Sequence, residues 1–170
     1  MSAFVLDAST ALTWCFPLQE TALSRAIREM ARGASVHVPG LWYLEIAHAL
    51  VRAERKGDIS RAKSEEFLGD MRESMRPFED DAAMAVRVGR VTDLAREYGL
   101  SAYDAAYLEL ALRKGVSLAT HDQALRKAAR RAGVPLVDEE ASPTWEAGEA
   151  AVEYGVKKKK VRIRSKNNTH

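Results

Sequence analysis

The sequence predicts an α/β fold built on a parallel sheet, and two observations carry that expectation. Phe4-Val5-Leu6, Val36-His37-Val38, Val116-Ser117-Leu118-Ala119 and Val134-Pro135-Leu136-Val137 are apolar runs of strand length, separated by long stretches of helical periodicity. The runs are apolar on both faces, as strands are when helical crossovers cover the two sides of a parallel sheet.

Each element has its own local reasons. Helices are expected over about residues 8–15, 20–32, 40–56, 60–75, 81–98, 102–114 and 122–132. Gly33, Gly57, Gly99, Gly115 and Gly133 each close a helical pattern, where a turn through positive φ is expected. Asp58 or Ser60, and Ser101, stand where the next helices need N-caps. Pro135 places the last strand at an edge, where a missing N–H does little harm.

A chain of 170 residues, 46% of them hydrophobic, suits one compact domain, expected over residues 1–140. Beyond it the pattern dissolves into Ser-Pro-Thr, Glu-Ala-Gly-Glu and a basic run, which reads as a flexible tail over 141–170. Lys157, Lys158, Lys159, Lys160, Arg162, Arg164 and Lys166 lie there with no acid among them. Setting those seven aside from 26 basic and 24 acidic residues leaves residues 1–155 at about −5, so an acidic body carries a basic tail. The tail could contact phosphates or serve only solubility. The one cysteine, Cys15, excludes an internal disulfide and a cysteine-rich zinc site, and suits a reducing, cytoplasmic setting. Neither a secretory leader nor a run of about 18 apolar residues occurs, so secretion and membrane spanning are not expected.

In open parallel sheets ligands gather beyond the carboxyl ends of the strands, which makes acids there the first to examine. Asp7 follows the first apolar run and Asp122 the third, although each would serve equally as an N-cap. Glu45 and Asp104 are less easily explained, because they stand in the apolar stretches 41–51 and 102–112, where an ionised carboxylate is costly unless compensated. A helix apolar around most of its circumference is expected to be buried, so both acids should point inward or into a cleft. Glu109 lies about 140° from Asp104 around the helix and is expected to form an exposed pair with Arg113. Four carboxylates from two strand ends and two helices would make a hard oxygen site, suited to Mg²⁺ or Mn²⁺ and to phosphate chemistry. The alternative is a structural cluster of ion pairs.

Leu6-Asp7-Ala8-Ser9, Glu45 in the third helix, Tyr103-Asp104-Ala105-Ala106-Tyr107-Leu108-Glu109-Leu110-Ala111 and Thr120-His121-Asp122 together resemble the PIN domain, and in size the VapC-type toxins of bacterial toxin–antitoxin pairs. The likeness spans about residues 3–138. It implies a three-layer fold whose central parallel sheet of four or five strands is flanked by helices. It implies a Mg²⁺- or Mn²⁺-dependent ribonuclease with Asp7, Glu45, Asp104 and Asp122 as metal-binding and catalytic acids, and Ser9 and Thr120 as polar support. It also implies an RNA substrate, an antitoxin partner and a homodimer, to whose surface Trp42 and Tyr43 could contribute unless they are core. One departure is His48, where the family often has Asn. Three residues after Glu45, it could orient that carboxylate, ligate, or fill space.

A regulatory domain that binds RNA or protein through the acidic cleft without hydrolysis remains the alternative. A phosphoacceptor domain is weakened by the lack of paired acids at the first strand. A haloacid-dehalogenase-like phosphatase would want a second acid where Ser9 stands. No glycine-rich phosphate loop of either common type is present.

Overall fold

The computed structural model of the protein describes residues 3–74, 78–79 and 84–137. The expected tail over 141–170 lies outside them, as do residues 81–83 of one expected helix. Among the described residues no helix is long and apolar enough to cross a membrane.

Four strands form one parallel sheet: β1 (Ala3–Leu6), β2 (Ser35–Val38), β3 (Phe78–Glu79) and β4 (Ser117–Ala119), in the order β3-β2-β1-β4. β1 is central, with Phe4, Val5 and Leu6 buried, and it pairs Phe4 with Val36 on one side and with Ser117 on the other. The helices are α1 (Ala8–Leu12), α2 (Ala22–Ala31), α3 (Leu41–Lys56), α4 (Arg61–Ser74), α5 (Met84–Tyr98), α6 (Ala102–Lys114) and α7 (Gln123–Arg131), with a 3₁₀ turn at Pro17–Gln19. They flank the sheet, as the sequence predicts for an α/β chain.

α6 shows why an apolar helix belongs in the interior: every residue from Ala105 to Ala111 is buried, and it packs on β1, β4, α5 and α7. Ser101 caps its start by accepting from the Asp104 N–H, and Gly115 ends it at φ 64°, a conformation that costs glycine little. Ser60, rather than Asp58, takes the capping role before α4, accepting from the Lys63 N–H at 3.2 Å.

The structure corrects several expectations. β3 is an unpredicted strand, and two residues are too few to show alternation. The expected strand over 134–137 is reduced to one bridge between Leu118 and Leu136, although it does lie at the edge beside β4. There Leu118 donates to the Pro135 carbonyl, which needs no N–H from the proline. Gly33 does not take positive φ, because Arg32 and Gly33 close α2 through right-handed i→i−3 bonds to Glu29 and Met30. Glu109 does pair with Arg113, at 2.9 Å, but in the interior: its side chain is 7% exposed and Arg87 stands 3.5 Å from its other oxygen. Two facing cations make that burial tolerable.

α3 also departs from the expectation of a helix buried all round. It buries a stripe of Trp42, Ile46, Leu50 and Ala53 at helical spacing, while Tyr43, Leu44 and Val51 stay exposed. Trp42 is therefore core and Tyr43, packed edge-on against it, is half out. Periodicity finds a helix, but it cannot tell how many neighbours cover it.

Candidate active site

Strand pairing creates the site. The Asp7 N–H donates to the Ala119 carbonyl at 3.0 Å, so β1 and β4 end side by side and bring Asp7 against Thr120. Thr120 Oγ1 and Ser9 Oγ each donate to Asp7 Oδ2 at 2.6 Å, whereas Oδ1 takes only the Ser9 N–H at 3.2 Å. Asp7 is 7% exposed, and burial raises its carboxyl above the ordinary range. The hydroxyl bonds from Ser9 and Thr120 oppose that rise, and the nearby charge of Asp104 adds to it.

Two helices supply the other acids. Glu45 leaves α3 half-buried, and its carboxyl is raised first by burial and then by the charges of Asp7 and Asp104. The Tyr107 hydroxyl, donating to Glu45 Oε2, works the other way. Asp104 sits in the first turn of α6, where its N–H donates to Ser101 Oγ at 3.0 Å and Ser101 Oγ donates back to Oδ2 at 2.6 Å. Tyr107, three residues after Asp104 on α6, bonds Glu45 and meets the backbone of Ala8 beside Asp7, so these three acids, far apart in sequence, are gathered in one region.

Asp122 stands apart from that trio. It is exposed and caps α7, with Oδ1 accepting from the Leu125 N–H at 2.7 Å. Its own N–H donates to Thr120 Oγ1 at 3.1 Å, which ties it to Asp7 through a single hydroxyl. His48 is exposed and lines a cavity of about 550 Å³ with Phe16, Leu18, Arg52 and Lys56. None of the four site acids lines that cavity.

Sequence reasoning missed two members of the site. Tyr107, 1% exposed, bridges Glu45 and the backbone of Ala8, and its hydroxyl is pushed well above the ordinary phenol range, chiefly by burial. Its position three residues after Asp104 puts both on one helix face, a signal the sequence did contain. His121 reaches Thr10 Oγ1 with Nδ1 at 2.9 Å and Thr21 Oγ1 with Nε2 at 3.2 Å, joining the β4–α7 loop to α1 and to the start of α2. Burial lowers its pKa, as does Arg126, while Asp7 raises it. Nothing local in the sequence foretells contacts with residues about a hundred positions away.

Whether these residues suit a divalent cation can be judged from their donors. All are carboxylate oxygens; two carboxyls are held above their ordinary range by burial and like charge, and Asp7 Oδ1 keeps unused acceptor capacity. Among the described residues no three His, Cys, Asp or Glu side chains are already drawn to ligand spacing. As donors, carboxylate oxygens suit a hard, hydrated cation rather than a soft one.

A parallel α/β sheet with acids gathered past the carboxyl end of its central strand defines a class of scaffold that places its ligands beyond the strand ends. The chain belongs to the PIN domain family, whose model matches residues 4–131. PIN domains are nucleases, and they generally use divalent metal ions. In fold the chain is similar to PAE2754 from Pyrobaculum aerophilum, with 24% identity, TM-score 0.58, and coverage of 80% of this chain and 91% of that one. It is similar to VapBC2 from Rickettsia felis, solved bound to a DNA fragment from its promoter, with 12% identity, TM-score 0.59, and coverage of 79% and 96%. It is similar also to FitAcB from Neisseria gonorrhoeae, with 16% identity, TM-score 0.50, and coverage of 79% and 96%. At these identities the likeness is one of fold. No curated protein is similar enough in sequence to count as a match.

Proposed function

We propose that the protein is a metal-dependent endoribonuclease and the toxin of a cytoplasmic toxin–antitoxin pair. The observation that carries this reading is the convergence of Asp7, from a strand end, with Glu45 and Asp104, from two helices, around Tyr107, which bonds Glu45, meets the backbone of Ala8 and stands three residues after Asp104. Asp7, Glu45 and Asp104 would hold Mg²⁺ or Mn²⁺, with Asp122 at the rim offering the oxygen that capping leaves over. A cation bound there supplies a nucleophilic water at neutral pH and offsets charge on the phosphoryl oxygens. Ser9 and Thr120 fix the Asp7 carboxylate, and Tyr107 fixes Glu45. His48, exposed and facing a different cavity, is left outside the ligand set. Single-stranded RNA fits such a site better than a stacked duplex, because its backbone can be threaded past the acids.

An antitoxin and a second copy of the chain are the proposed protein partners. Leu18, Leu44, Val51 and Tyr103, all exposed, offer apolar surface for them. The likeness in fold to VapBC2 and FitAcB, beside the resemblance of the sequence to VapC-type toxins, supports the same kind of assembly here.

The test is cleavage of a mixed RNA pool by the purified protein with Mg²⁺, Mn²⁺ or EDTA, beside Asp7→Asn and Asp104→Asn. Cleavage that needs the metal and is lost in both variants is expected. Equal cleavage by the variants, or cleavage in EDTA, overturns the mechanism.

A further inference from the structure

A cluster of carboxylates poses a problem for any polyanion that must reach it. Cations must stand close to the carboxylates if a phosphodiester is to reach them. Residues 123–137 contain four cations, Arg126, Lys127, Arg130 and Arg131, and no acid. α7 buries Leu125, Ala128 and Ala129, which leaves these cations on its outer side in two i,i+4 rows.

The rows begin at the site itself. Asp122 caps α7, Arg126 Nη1 donates to the Thr120 carbonyl at 3.0 Å, and Thr120 Oγ1 holds Asp7.

Structural explanations cover only part of the set. Arg131 lies 5.0 Å from the Tyr98 ring centroid, and Arg130 and Arg131 complement the carbonyl end of the helix dipole. Arg126 and Lys127 stand nearer the amino end, where the dipole opposes a cation. On other helices Arg28 pairs with Asp70, Arg32 with Glu29, Arg61 with Glu65 and Lys63 with Glu66. Lys127 and Arg130 are exposed and have no acidic partner among the described residues.

We infer that the edge of α7 formed by Arg126, Lys127 and Arg130 carries the sugar–phosphate backbone of a single nucleic-acid strand bound at the acidic site. The inference rests on the nuclease reading for what happens at that site, but backbone binding can be measured without cleavage.

The experiment uses the full chain and a fluorescein-labelled oligouridylate, with Ca²⁺ in place of Mg²⁺, and measures affinity across a salt series. Two double variants remove equal charge: Lys127→Gln with Arg130→Gln on α7, and Arg52→Gln with Lys56→Gln near the far end of α3. Two lost contacts to a single strand should reduce the slope of log affinity against log salt by about 1.4 and weaken binding roughly 25-fold at 0.1 M salt. The α3 variant should keep the parental slope. Equal losses in the two variants, an unchanged slope in the α7 variant, or no binding by the parent would overturn the inference. Cleavage with Mn²⁺ is scored separately. A parent that cleaves while the α7 variant keeps its slope defeats the inference alone; a parent that never cleaves while the slopes differ defeats the nuclease reading alone.

Discussion

The Tyr107 hydroxyl donates to Oε2 of Glu45, joining the middle of α6 to the first half of α3 across 62 positions of sequence. The bond holds a half-buried carboxylate beside two other acids, and its donor has no access to solvent. Tyr107→Phe keeps the ring and removes only the bond. Stability should fall by about 1 kcal/mol. If Glu45 is a ligand, Mn²⁺ affinity should fall by about tenfold, as when an outer-shell partner of a metal ligand is lost. Calorimetric titration with Mn²⁺ beside a urea melt checks both, and an unchanged Mn²⁺ affinity would remove Glu45 from the ligand set.

The raised carboxyls set the pH dependence of the metal-free protein. Folding raises the pKa values of Asp7 and Glu45, so between their unfolded and folded values the folded chain holds protons that the unfolded chain releases. Their contribution to stability in EDTA therefore falls as pH rises from about 4 through the raised values, and is level above them. His121 acts oppositely: its folded value is lowered, so stability is lost as pH falls below about 6.5. The difference between the melting curves of the parent and Asp7→Asn isolates the carboxylate. Above the raised values, Asp7→Asn should melt at or above the parent in EDTA, because a buried charge has gone. Mg²⁺ should raise the parent's melting temperature more as pH rises, since protons compete for its ligands, and should leave the variant unmoved.

The sequence made the scaffold legible where local rules and tertiary structure agree. α6 was expected over 102–114 and occurs there, because an N-cap serine, a left-handed glycine and an apolar run all mark the same boundaries. Glu45 and Asp104 were legible as acids in apolar helices, where acids are costly, and Asp7 as an acid at a strand end. Asp7 and Asp122 both also met the other expectation, as the caps of α1 and α7. What stayed hidden depends on contacts across the chain. His121 finds Thr10 and Thr21 only once β1 and β4 are paired, and α3 leaves Leu44 exposed for want of a neighbour over it.

Thr120 is a junction. Its hydroxyl donates to Asp7 and accepts from the Asp122 N–H, while the residue is fully buried. Thr120→Val keeps shape and leaves the Asp122 N–H without its acceptor and Asp7 Oδ2 without one donor. A loss of about 2 kcal/mol is expected in a urea melt, in the range for stranding a buried polar partner. Thr120→Ser should restore most of it and restore cleavage. Failure of Ser to rescue would mean that the methyl group, rather than the hydroxyl, matters here.

Glu109 separates structure from function. It accepts from Arg113 and faces Arg87, in the interior between α5 and α6, and among the described residues it is not one of the charges acting on Asp7 or Glu45. Glu109→Ala removes the carboxylate that Arg113 bonds and that Arg87, 13% exposed, faces, and should cost about 3 kcal/mol, the low end for breaking a buried pair, because Arg113 retains water. Glu109→Ala with Arg87→Met also removes the more buried of the two cations and should recover part of that loss. Mn²⁺ affinity, measured at a temperature where both variants are folded, should match the parent. A Glu109→Ala protein that melts like the parent but loses Mn²⁺ would place Glu109 in the metal site instead of the scaffold.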